Sequence, residues 1–238
     1  MSKLIAIGGG GFLMEPENQL LDRYCLDCTR KTMPKVCFIP TASGDSEDGI
    51  ARFYRAFSRY SCKSSHLAFF RKPRAGSIPL DDIEQHLLHQ DLIYVGGGNT
   101  RAMLVVWREW NLDKILKKAW QSGVLLAGMS AGAICWFEYG GSDSTYCGRL
   151  SPLPGLNLIR GSCTPHYDGE SNRKPDFHSL IKSGQLPFGI GIDDGAAVLF
   201  KGQEIVEVVA SRVKATAYQV KLKNGQIIEK PIAAKNLG

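Results

Sequence analysis

Buried-strand and amphipathic-helix patterns alternate along the first 137 residues. Short apolar runs occur at KLIAIG, VCFIP, SSHLAFF, DLIYVGGG and VLLAG, and the last of them ends at Gly128. Between them lie stretches with apolar residues three or four positions apart, such as SEDGIARFYRAFSRY and LDKILKKAWQSG. Continuous Val, Ile and Leu runs separated by helices are typical of a parallel sheet covered on both faces. The pattern therefore predicts an α/β fold with a doubly wound, mostly parallel sheet.

The pattern changes after residue 138. Residues 138–155, EYGGSDSTYCGRLSPLPG, are rich in Gly, Ser, Asp and Pro and predict a long loop. Beyond them, LIRGSCTPHYD can hold a strand, FHSLIKSG predicts a short helix, and PFGIGID, AAVLF and EIVEVVA predict strands. Asn224-Gly225 between two alternating segments predicts a C-terminal β-hairpin. No linker or repeat interrupts the chain, so we expect a single domain over residues 1–238.

Composition and charge narrow the range of functions. The net charge is +6, but the basic residues are scattered and form no stripe interleaved with aromatic residues, so nucleic-acid binding is not expected. No apolar run is long enough to cross a bilayer, and the N-terminus lacks the apolar region of a signal peptide. We expect a cytoplasmic protein that does not bind membranes.

The cysteine pattern predicts free thiols. The seven cysteines are odd in number and scattered through a chain without a secretory signal. Cys25 and Cys28 form a lone C-x-x-C in a helical segment, with no second pair and no nearby histidine. Two thiols one turn apart on a helix is a better interpretation than a zinc or redox site. We expect no metal and no organic cofactor.

The segment GVLLAGMSAGAICWF places one serine where a predicted buried strand turns directly into a helix. Gly128, Met129, Ser130, Ala131 and Gly132 spell G-x-S-x-G, the pattern of a nucleophile elbow. Small neighbours let strand and helix approach each other at the strained turn, and the N–H of Ala131 would then face an oxyanion beside the hydroxyl. The alternative is a serine that simply caps a helix after a tight turn.

A nucleophilic serine needs a base and a second oxyanion donor. Among the five histidines, His166 in CTPHYDG follows a predicted strand and a proline, which is where a side chain can be held at the rim of a sheet. The donor candidate lies in YVGGGNT, where three glycines separate a buried strand from a helix. The same glycines do not fit a phosphate-binding motif, because Arg101 occupies the position of the third glycine.

Three segments follow one another along the chain: GGGNT, then a strand that runs into GMSAGA, then TPHYD. In this order they resemble the peptidase E family of serine dipeptidases, whose wider relatives include cyanophycinase. The resemblance covers nearly the whole chain. It implies a flavodoxin-like fold related to class I glutamine amidotransferases, with serine in place of their elbow cysteine. It further implies that Ser130 is the nucleophile, that His166 is the base, and that Gly98, in the Gly97 to Gly98 region, and Ala131 donate to the oxyanion.

The third member of a triad is open at this point. In the family an acidic residue follows the serine beyond a short glycine-containing loop, and Asp143 in YGGSDST fits this position best. Glu138 lies earlier and could stay on the helix after the serine. Asp193 and Asp194 in GIDDGAA are a separate acidic pair that could reach the same rim. The acid would fix the imidazole tautomer and stabilise the imidazolium.

Peptidase E family members cleave dipeptides that begin with aspartate, which calls for a cation to bind the aspartate carboxylate. GESNRKPDFHSL resembles the family's specificity segment and offers Arg173, although the segment is shorter here, and that departure affects aspartate specificity more than the serine chemistry. Arg101 is a second candidate, and Asn99 is a further candidate for substrate binding.

The resemblance implies a peptidase whose partner is a small peptide substrate. A homodimer is compatible with the sequence. An α/β-hydrolase esterase also uses G-x-S-x-G, although that fold usually places its histidine near the C-terminus. A catalytically silent module that binds a peptide or another small acidic ligand is the alternative from a different class.

Overall fold

Two β-sheets form the framework of the protein, for which a computed structural model describes residues 2–145 and 148–238. The strands are β1 (Lys3–Ile7), β2 (Lys35–Ile39), β3 (Lys63–His66), β4 (Leu92–Val95), β5 (Leu125–Met129), β6 (Phe137–Ser142), β7 (Ser151–Pro154), β8 (Ile159–Thr164), β9 (Gly189–Ile192), β10 (Ala196–Lys201), β11 (Glu204–Ala210), β12 (Ala217–Lys223), β13 (Gln226–Ile232) and β14 (Ala234–Asn236). The α-helices are α1 (Gly11–Met14), α2 (Leu20–Thr29), α3 (Glu47–Phe57), α4 (Ile83–Leu88), α5 (Thr100–Glu109), α6 (Leu112–Gln121), α7 (Ala131–Ile134) and α8 (Arg173–Lys182).

The larger sheet has the order β14-β11-β10-β1-β5-β4-β2-β3. Strands β1, β5, β4, β2 and β3 are parallel neighbours, whereas β10 pairs antiparallel with β1 and with β11. Helices connect the parallel strands, because parallel neighbours cannot be joined by a tight turn and need a crossover connection. The carboxyl ends of β1, β4 and β5 therefore lie side by side at one edge, where ligands bind in open α/β sheets.

The smaller sheet has the order β13-β12-β9-β8-β6-β7. Its centre is parallel, because β8 pairs with β6 on one side and with β9 on the other. The two sheets are joined at an isolated parallel bridge between Gly9 and Asp194, which follow β1 and β9. This bridge brings the ends of strands from both sheets to one place.

The core lies on both faces of the larger sheet. Alternate residues of β1 point to opposite sides: Leu4 belongs to the cluster that includes helices α4 to α7, and Ile5 to the cluster beneath helices α1 to α3. In the second cluster, Phe12 lies at the centre of several edge-on and tilted aromatic contacts, including one to Phe38 at 5.4 Å. Helices on both faces of a mostly parallel sheet confirm the predicted flavodoxin-like α/β fold.

Several local predictions are confirmed. The five apolar runs overlap β1 to β5, and the stretch SEDGIARFYRAFSRY contains α3, which Ser46 caps by accepting a hydrogen bond from the Gly49 N–H at 3.3 Å. The Asn224-Gly225 turn connects β12 to β13, and both residues have positive φ, as a two-residue hairpin turn requires. The predicted C-terminal hairpin is therefore present, and it forms one edge of the smaller sheet.

Two predictions about individual segments are wrong. Residues 138–155 are not one long loop, because their ends form β6 and β7 of the smaller sheet. The predicted strand SSHLAFF ends at His66, because the N–H groups of Phe69 and Phe70 donate to the Asp45 carboxylate at 2.5 and 2.7 Å instead of to a neighbouring strand.

The six described cysteines are free thiols, and Cys147 lies outside the described residues. Cys25 and Cys28 both belong to α2, and burial raises the pKa of each thiol. Within residues 2–145 and 148–238, no helix is long and apolar enough to cross a membrane. No His, Cys, Asp and Glu side chains in the same part of the chain are grouped to hold a metal ion.

Candidate active site

Ser130 lies between the last residue of β5 and the first residue of α7. Its backbone has φ 56° and ψ −113°, a combination that a residue with a side chain rarely adopts. The flanking glycines allow this turn. A Cβ atom on Gly128 would lie 2.1 Å from the carbonyl oxygen of Gly132, and one on Gly132 would lie 2.3 Å from the carbonyl oxygen of Val95. The G-x-S-x-G sequence therefore has a steric cause, and the turn has the geometry of a nucleophile elbow.

His166 follows β8, and its ring faces Ser130. The distance from His166 Nε2 to Ser130 Oγ is 2.9 Å. His166 also has positive φ, 53°, and the hydrogen bond from the Gly169 N–H to its carbonyl oxygen, 3.2 Å long, closes the loop behind it. The structure thus brings the predicted serine and the predicted histidine into hydrogen-bonding contact.

The carboxylate that contacts His166 belongs to Asp194. His166 Nδ1 donates to Asp194 Oδ1 at 2.6 Å, and both side chains are largely buried. This hydrogen bond is the main reason that the pKa of Asp194 lies below its usual range. An ionised Asp194 can only accept, so Nδ1 carries the proton and Nε2 is left to accept from the Ser130 hydroxyl.

The expectation that Asp143 orients His166 is wrong. Asp143 follows β6, and its Oδ2 accepts from the Arg173 guanidinium at 2.8 Å. The physical reason is the bridge between Gly9 and Asp194, which holds the end of β9 beside the end of β1 and hence close to Ser130, which follows the neighbouring strand β5. The end of β6 is instead directed toward α8, which begins at Arg173.

The other acidic candidates have different partners. Glu138 accepts from the Gly161 N–H at 3.1 Å. Asp193 accepts from the Thr216 N–H at 3.0 Å, and burial raises its pKa to about 6. Of the pair in GIDDGAA, only Asp194 is directed toward His166.

The two predicted oxyanion donors belong to the residue after Ser130 and to the glycine loop that packs on Ser130. Ala131 is the first residue of α7, so its N–H has no partner within the helix. Gly98 has φ 137°, and a Cβ atom there would lie 2.2 Å from the carbonyl oxygen of Ala42. Gly97 packs on Ser130, since a Cβ atom there would lie 3.2 Å from the serine Cβ. The glycine loop thus packs on the serine through Gly97, and at Gly98 only glycine permits its close approach to Ala42.

The predicted substrate-binding residue Asn99 has two structural partners. Its Oδ1 accepts from the Ala102 N–H at 2.9 Å and caps α5, and its Nδ2 donates to the Ser144 carbonyl at 3.1 Å. The second contact ties the glycine loop to the segment that carries Asp143. Arg101, the second arginine candidate, is exposed on the first turn of α5.

Arg173 lies buried between two carboxylates. Its Nε donates to Glu170 Oε2 at 2.7 Å, and one terminal nitrogen contacts Glu170 Oε1 at 3.0 Å as well as Asp143. The arginine side chain is 5% exposed, whereas those of Asp143 and Glu170 are about half exposed. Gly169, next to Glu170, packs on Asp194, because a Cβ atom there would lie 2.8 Å from Asp194 Oδ2. The arginine cluster therefore lies beside the histidine and its acid.

Gly9 and Arg212 also contact this centre, Glu15 contacts Arg212, and none of the three was identified from the sequence. A Cβ atom on Gly9 would lie 2.0 Å from Asp194 Oδ1 and 2.9 Å from His166 Nδ1. Arg212 places a terminal nitrogen 3.8 Å from Asp194 Oδ2, and Glu15 Oε1 accepts from the Arg212 Nε at 2.7 Å. The glycine run after β1 was the one visible signal, since a close backbone approach explains it.

The fold and this geometry define a serine-type hydrolase on a flavodoxin-like α/β framework. The profile of peptidase family S51 matches residues 4–208. The chain therefore belongs to peptidase family S51, the peptidase E family, and is a serine-type peptidase. Family membership also sets aside the α/β-hydrolase esterase and the silent binding module as descriptions of this chain.

Curated relatives agree with this assignment, and solved structures share the fold. The uncharacterized peptidase YgaJ of Bacillus subtilis is 48% identical over 238 residues, which is 100% of both chains. The uncharacterized peptidase Lmo0363 of Listeria monocytogenes is 30% identical over 182 residues, 72% of this chain and 84% of that protein. A peptidase from an acI-B1 Actinobacterium has a crystal structure that superposes with a TM-score of 0.72 at 21% identity, covering 98% of this chain and 95% of that one. A putative peptidase E from Listeria monocytogenes gives a TM-score of 0.63 at 21% identity, covering 88% and 98%.

Proposed function

We propose that this peptidase hydrolyses short peptides, foremost dipeptides with an N-terminal aspartate, by Ser-His-Asp catalysis through an acyl-enzyme. The observation that carries the proposal is the pair of hydrogen bonds that joins Ser130 to His166 and His166 to Asp194. Nucleophile, base and orienting acid are then within hydrogen-bond reach in the order that serine hydrolases use.

The first step is attack of the Ser130 oxygen on the carbonyl carbon of the peptide bond. His166 Nε2 accepts the hydroxyl proton as the new C–O bond forms, and the imidazolium then donates that proton to the leaving amine as the C–N bond breaks. Asp194 keeps the Nδ1 proton directed toward itself and stabilises the imidazolium. Water, deprotonated by the same nitrogen, hydrolyses the ester and restores the serine.

The negative charge on the carbonyl oxygen needs donors that are in place before the reaction. We assign this role to the N–H groups of Ala131 and Gly98. The Ala131 N–H is an orphan donor at a helix start, and the Gly98 loop is fixed against Ser130 and Ala42. Donors fixed in this way require no reorganisation in the transition state, and losing one such donor costs about 3 kcal/mol in well-studied enzymes.

Arg173 supports a preference for N-terminal aspartate. Its guanidinium is buried beside the triad, and Glu170 holds it through two hydrogen bonds. Asp143 occupies a remaining position with a half-exposed carboxylate. A substrate carboxylate of the same chemistry would take the place of Asp143 on the guanidinium, since both bind in the plane of the fork.

The test compares hydrolysis of Asp-Leu with that of Ala-Leu, Glu-Leu and an N-blocked Asp-Leu, in wild type and in Ser130→Ala. The expected result is that Asp-Leu is cleaved much faster than the other three peptides, whose slow hydrolysis is still measurable, and that Ser130→Ala cleaves none of them. Arg173→Lys keeps the charge but loses the planar fork, so kcat/KM for Asp-Leu should fall by about 100-fold or more while that for Ala-Leu changes little. Arg101→Lys is the matched control and should leave both rates unchanged. Equal loss for both substrates in Arg173→Lys would overturn the aspartate preference and leave the serine chemistry intact.

A further inference from the structure

Asp194 lies in a set of charged groups that come from several elements. Arg212 and Glu15 lie on one side, after β11 and α1, and the His166 loop and α8 lie on the other. The groups on the second side are Asp168, whose Oδ1 accepts from the Asp194 N–H at 2.8 Å, Glu170 and Arg173, while the adjacent Asp193 carboxylate accepts from Thr216. His166 contacts Oδ1 of Asp194. Among the described residues, only Arg212 forms an ion pair with the other oxygen, Oδ2.

Arg212 is held in this position from three directions. Its side chain lies over Gly195, where a Cβ atom would be 2.5 Å from Arg212 Cγ. The preceding residue, Ser211, donates its N–H to the Gly195 carbonyl at 2.7 Å. Glu15 Oε1 accepts from Nε at 2.7 Å and from a terminal nitrogen at 2.6 Å. The guanidinium is therefore fixed next to the residue that follows the triad acid.

The contact from Arg212 to Asp194 is an ion pair rather than a hydrogen bond. At 3.8 Å the guanidinium is too far from Oδ2 for a strong hydrogen bond, whereas both of its short contacts go to Glu15. A cation at this place lowers the negative potential that Asp194 presents to His166. The Glu15 carboxylate on the far side of the same guanidinium compensates most of that effect.

We propose that Arg212 and Glu15 are positioning residues which act through Asp194 to set the pH range in which His166 is available as a base. The inference rests on the proposed Ser-His-Asp mechanism. Removing the Arg212 charge stabilises the imidazolium, so His166 stays protonated to higher pH and the acid limb of the activity profile moves to higher pH. Removing the Glu15 charge leaves the Arg212 charge uncompensated, so the acid limb moves to lower pH.

Shifts of the acid limb in opposite directions in the two single variants would identify this role. A merely structural role of the pair would lower activity in both single variants and move the acid limb in neither. A unit charge that lies on the far side of the Asp194 carboxylate from the imidazole, in a partly solvated site, moves the limb by about half a pH unit. The double variant loses both charges together and should return close to wild type.

The experiment measures the acid limb of two pH profiles, kcat/KM for the cleaved dipeptide and the second-order rate constant for labelling of Ser130 by a peptidyl phosphonate. The variants are Arg212→Gln, Glu15→Gln, the double variant, and Arg212→Lys, which keeps the charge. Glu84 and Lys118 form a matched ion pair on α4 and α6, so Glu84→Gln and Lys118→Gln serve as controls. We expect about +0.5 pH unit for Arg212→Gln, about −0.5 for Glu15→Gln, and less than about 0.2 for the others.

A second readout does not depend on turnover. NMR titration of the His166 ring, assigned with His166→Asn, should show the same order of titration midpoints in Arg212→Gln, Glu15→Gln and the double variant. Shifts in the same direction, or shifts no larger than those of the Glu84 and Lys118 controls, would overturn the inference while labelling of wild type keeps the proposed function. Absence of Ser130 labelling in wild type at every pH would overturn the proposed function and the inference together.

Discussion

His166 Nδ1 lies 2.6 Å from Asp194 Oδ1, and the two residues follow β8 and β9, which are neighbouring strands of the smaller sheet. The imidazole is therefore oriented by a residue that follows β9, while Asp143 after β6 is bound to Arg173. The two aspartates can be distinguished by the same substitution at each position.

Asp194→Asn should lower kcat by about 1,000-fold or more, because an amide can present its N–H to Nδ1 and select the wrong tautomer, an effect of about 10,000-fold in a well-studied serine protease. Asp143→Asn should change kcat by less than about 10-fold, since Arg173 keeps its two contacts to Glu170. Steady-state hydrolysis of the cleaved dipeptide, with phosphonate labelling of Ser130 as a second assay, measures both. A larger loss in Asp143→Asn would return the orienting role to Asp143.

Gly9→Ala tests the close approach that allows the His166–Asp194 contact. Gly9 does not have positive φ, so alanine can adopt its backbone conformation. The added Cβ would nevertheless lie 2.0 Å from Asp194 Oδ1. Displacing that carboxylate by about 1 Å should lower kcat/KM by about 100-fold.

Gly49→Ala is the matched control for this substitution. Gly49 lies in α3, where a Cβ atom would make an ordinary contact 3.7 Å from Ser46 Cβ. Alanine in a helix should raise stability by about 0.5–1 kcal/mol and leave activity unchanged. Thermal unfolding followed by circular dichroism shows whether each variant folds. A folded Gly9→Ala with full activity would contradict the steric argument.

The strained turn at Ser130 should be visible in stability. Ser130→Ala and Ser130→Gly both remove the hydroxyl, but only glycine adopts φ 56° and ψ −113° without a side-chain penalty. Strain of this kind costs about 1–3 kcal/mol, and the greater freedom of glycine in the unfolded chain offsets part of the gain. We expect Ser130→Gly to be more stable than Ser130→Ala by about 1 kcal/mol in urea unfolding.

A control separates strain at this turn from a general effect of glycine. Ala133 lies in α7, where the backbone is helical, so Ala133→Gly should lower stability. If Ser130→Gly is no more stable than Ser130→Ala, the turn stores no strain that glycine relieves.

The sequence predicted the larger sheet well because its information is local. The strands β1, β2, β4 and β5 are apolar runs followed by a helix, and the serine lies at one such junction. The failure at residues 138–155 has a specific cause. Gly140 and Gly141 lie in strand β6. These positions require glycine, because Cβ atoms there would lie 2.2 Å from Ile134 Cγ2 and 2.5 Å from Thr164 Oγ1. These glycines permit close packing within a sheet, and glycine in a turn has the same local pattern.

The acid of the site was not predictable from spacing alone. Asp194 reaches His166 because its strand end is paired with Gly9, a contact between residues far apart in the chain. Asp143 has the more suggestive position after the serine, but a carboxylate at a loop start can pair with any nearby cation, and Arg173 is that cation. Only the tertiary arrangement distinguishes the two. The candidates Ser130 and His166 came from local motifs, and the structure places them in contact.

The same glycine run that contacts Asp194 through Gly9 contacts a second, buried carboxylate through Gly11. A Cβ atom on Gly11 would lie 2.8 Å from Asp22 Oδ1. Asp22 is fully buried, and neither of its carboxylate oxygens has a hydrogen-bond partner in the described part of the chain. Burial raises the pKa of Asp22 to about 7.

Asp22→Asn should therefore change stability in a pH-dependent way. The unfolded chain ionises Asp22 near the usual pKa of about 3.8, whereas the folded chain keeps it protonated up to about 7. Stability from the neutral carboxyl is fully present below about pH 4 and is lost as the pH rises through about 7. Each unit of difference corresponds to about 1.4 kcal/mol, so the asparagine variant should gain about 2–4 kcal/mol relative to wild type between pH 4 and pH 8.

Urea unfolding at both pH values measures this gain, and Asp27→Asn, at an exposed position of the same helix, is the control. The two asparagine substitutions remove the same charge, so a general effect of net charge would appear in both. We expect a pH-dependent difference from wild type in Asp22→Asn alone. A difference that is constant from pH 4 to pH 8 would show that Asp22 is ionised in the folded protein, and a cation or N–H groups would then have to stabilise it beneath the glycine run.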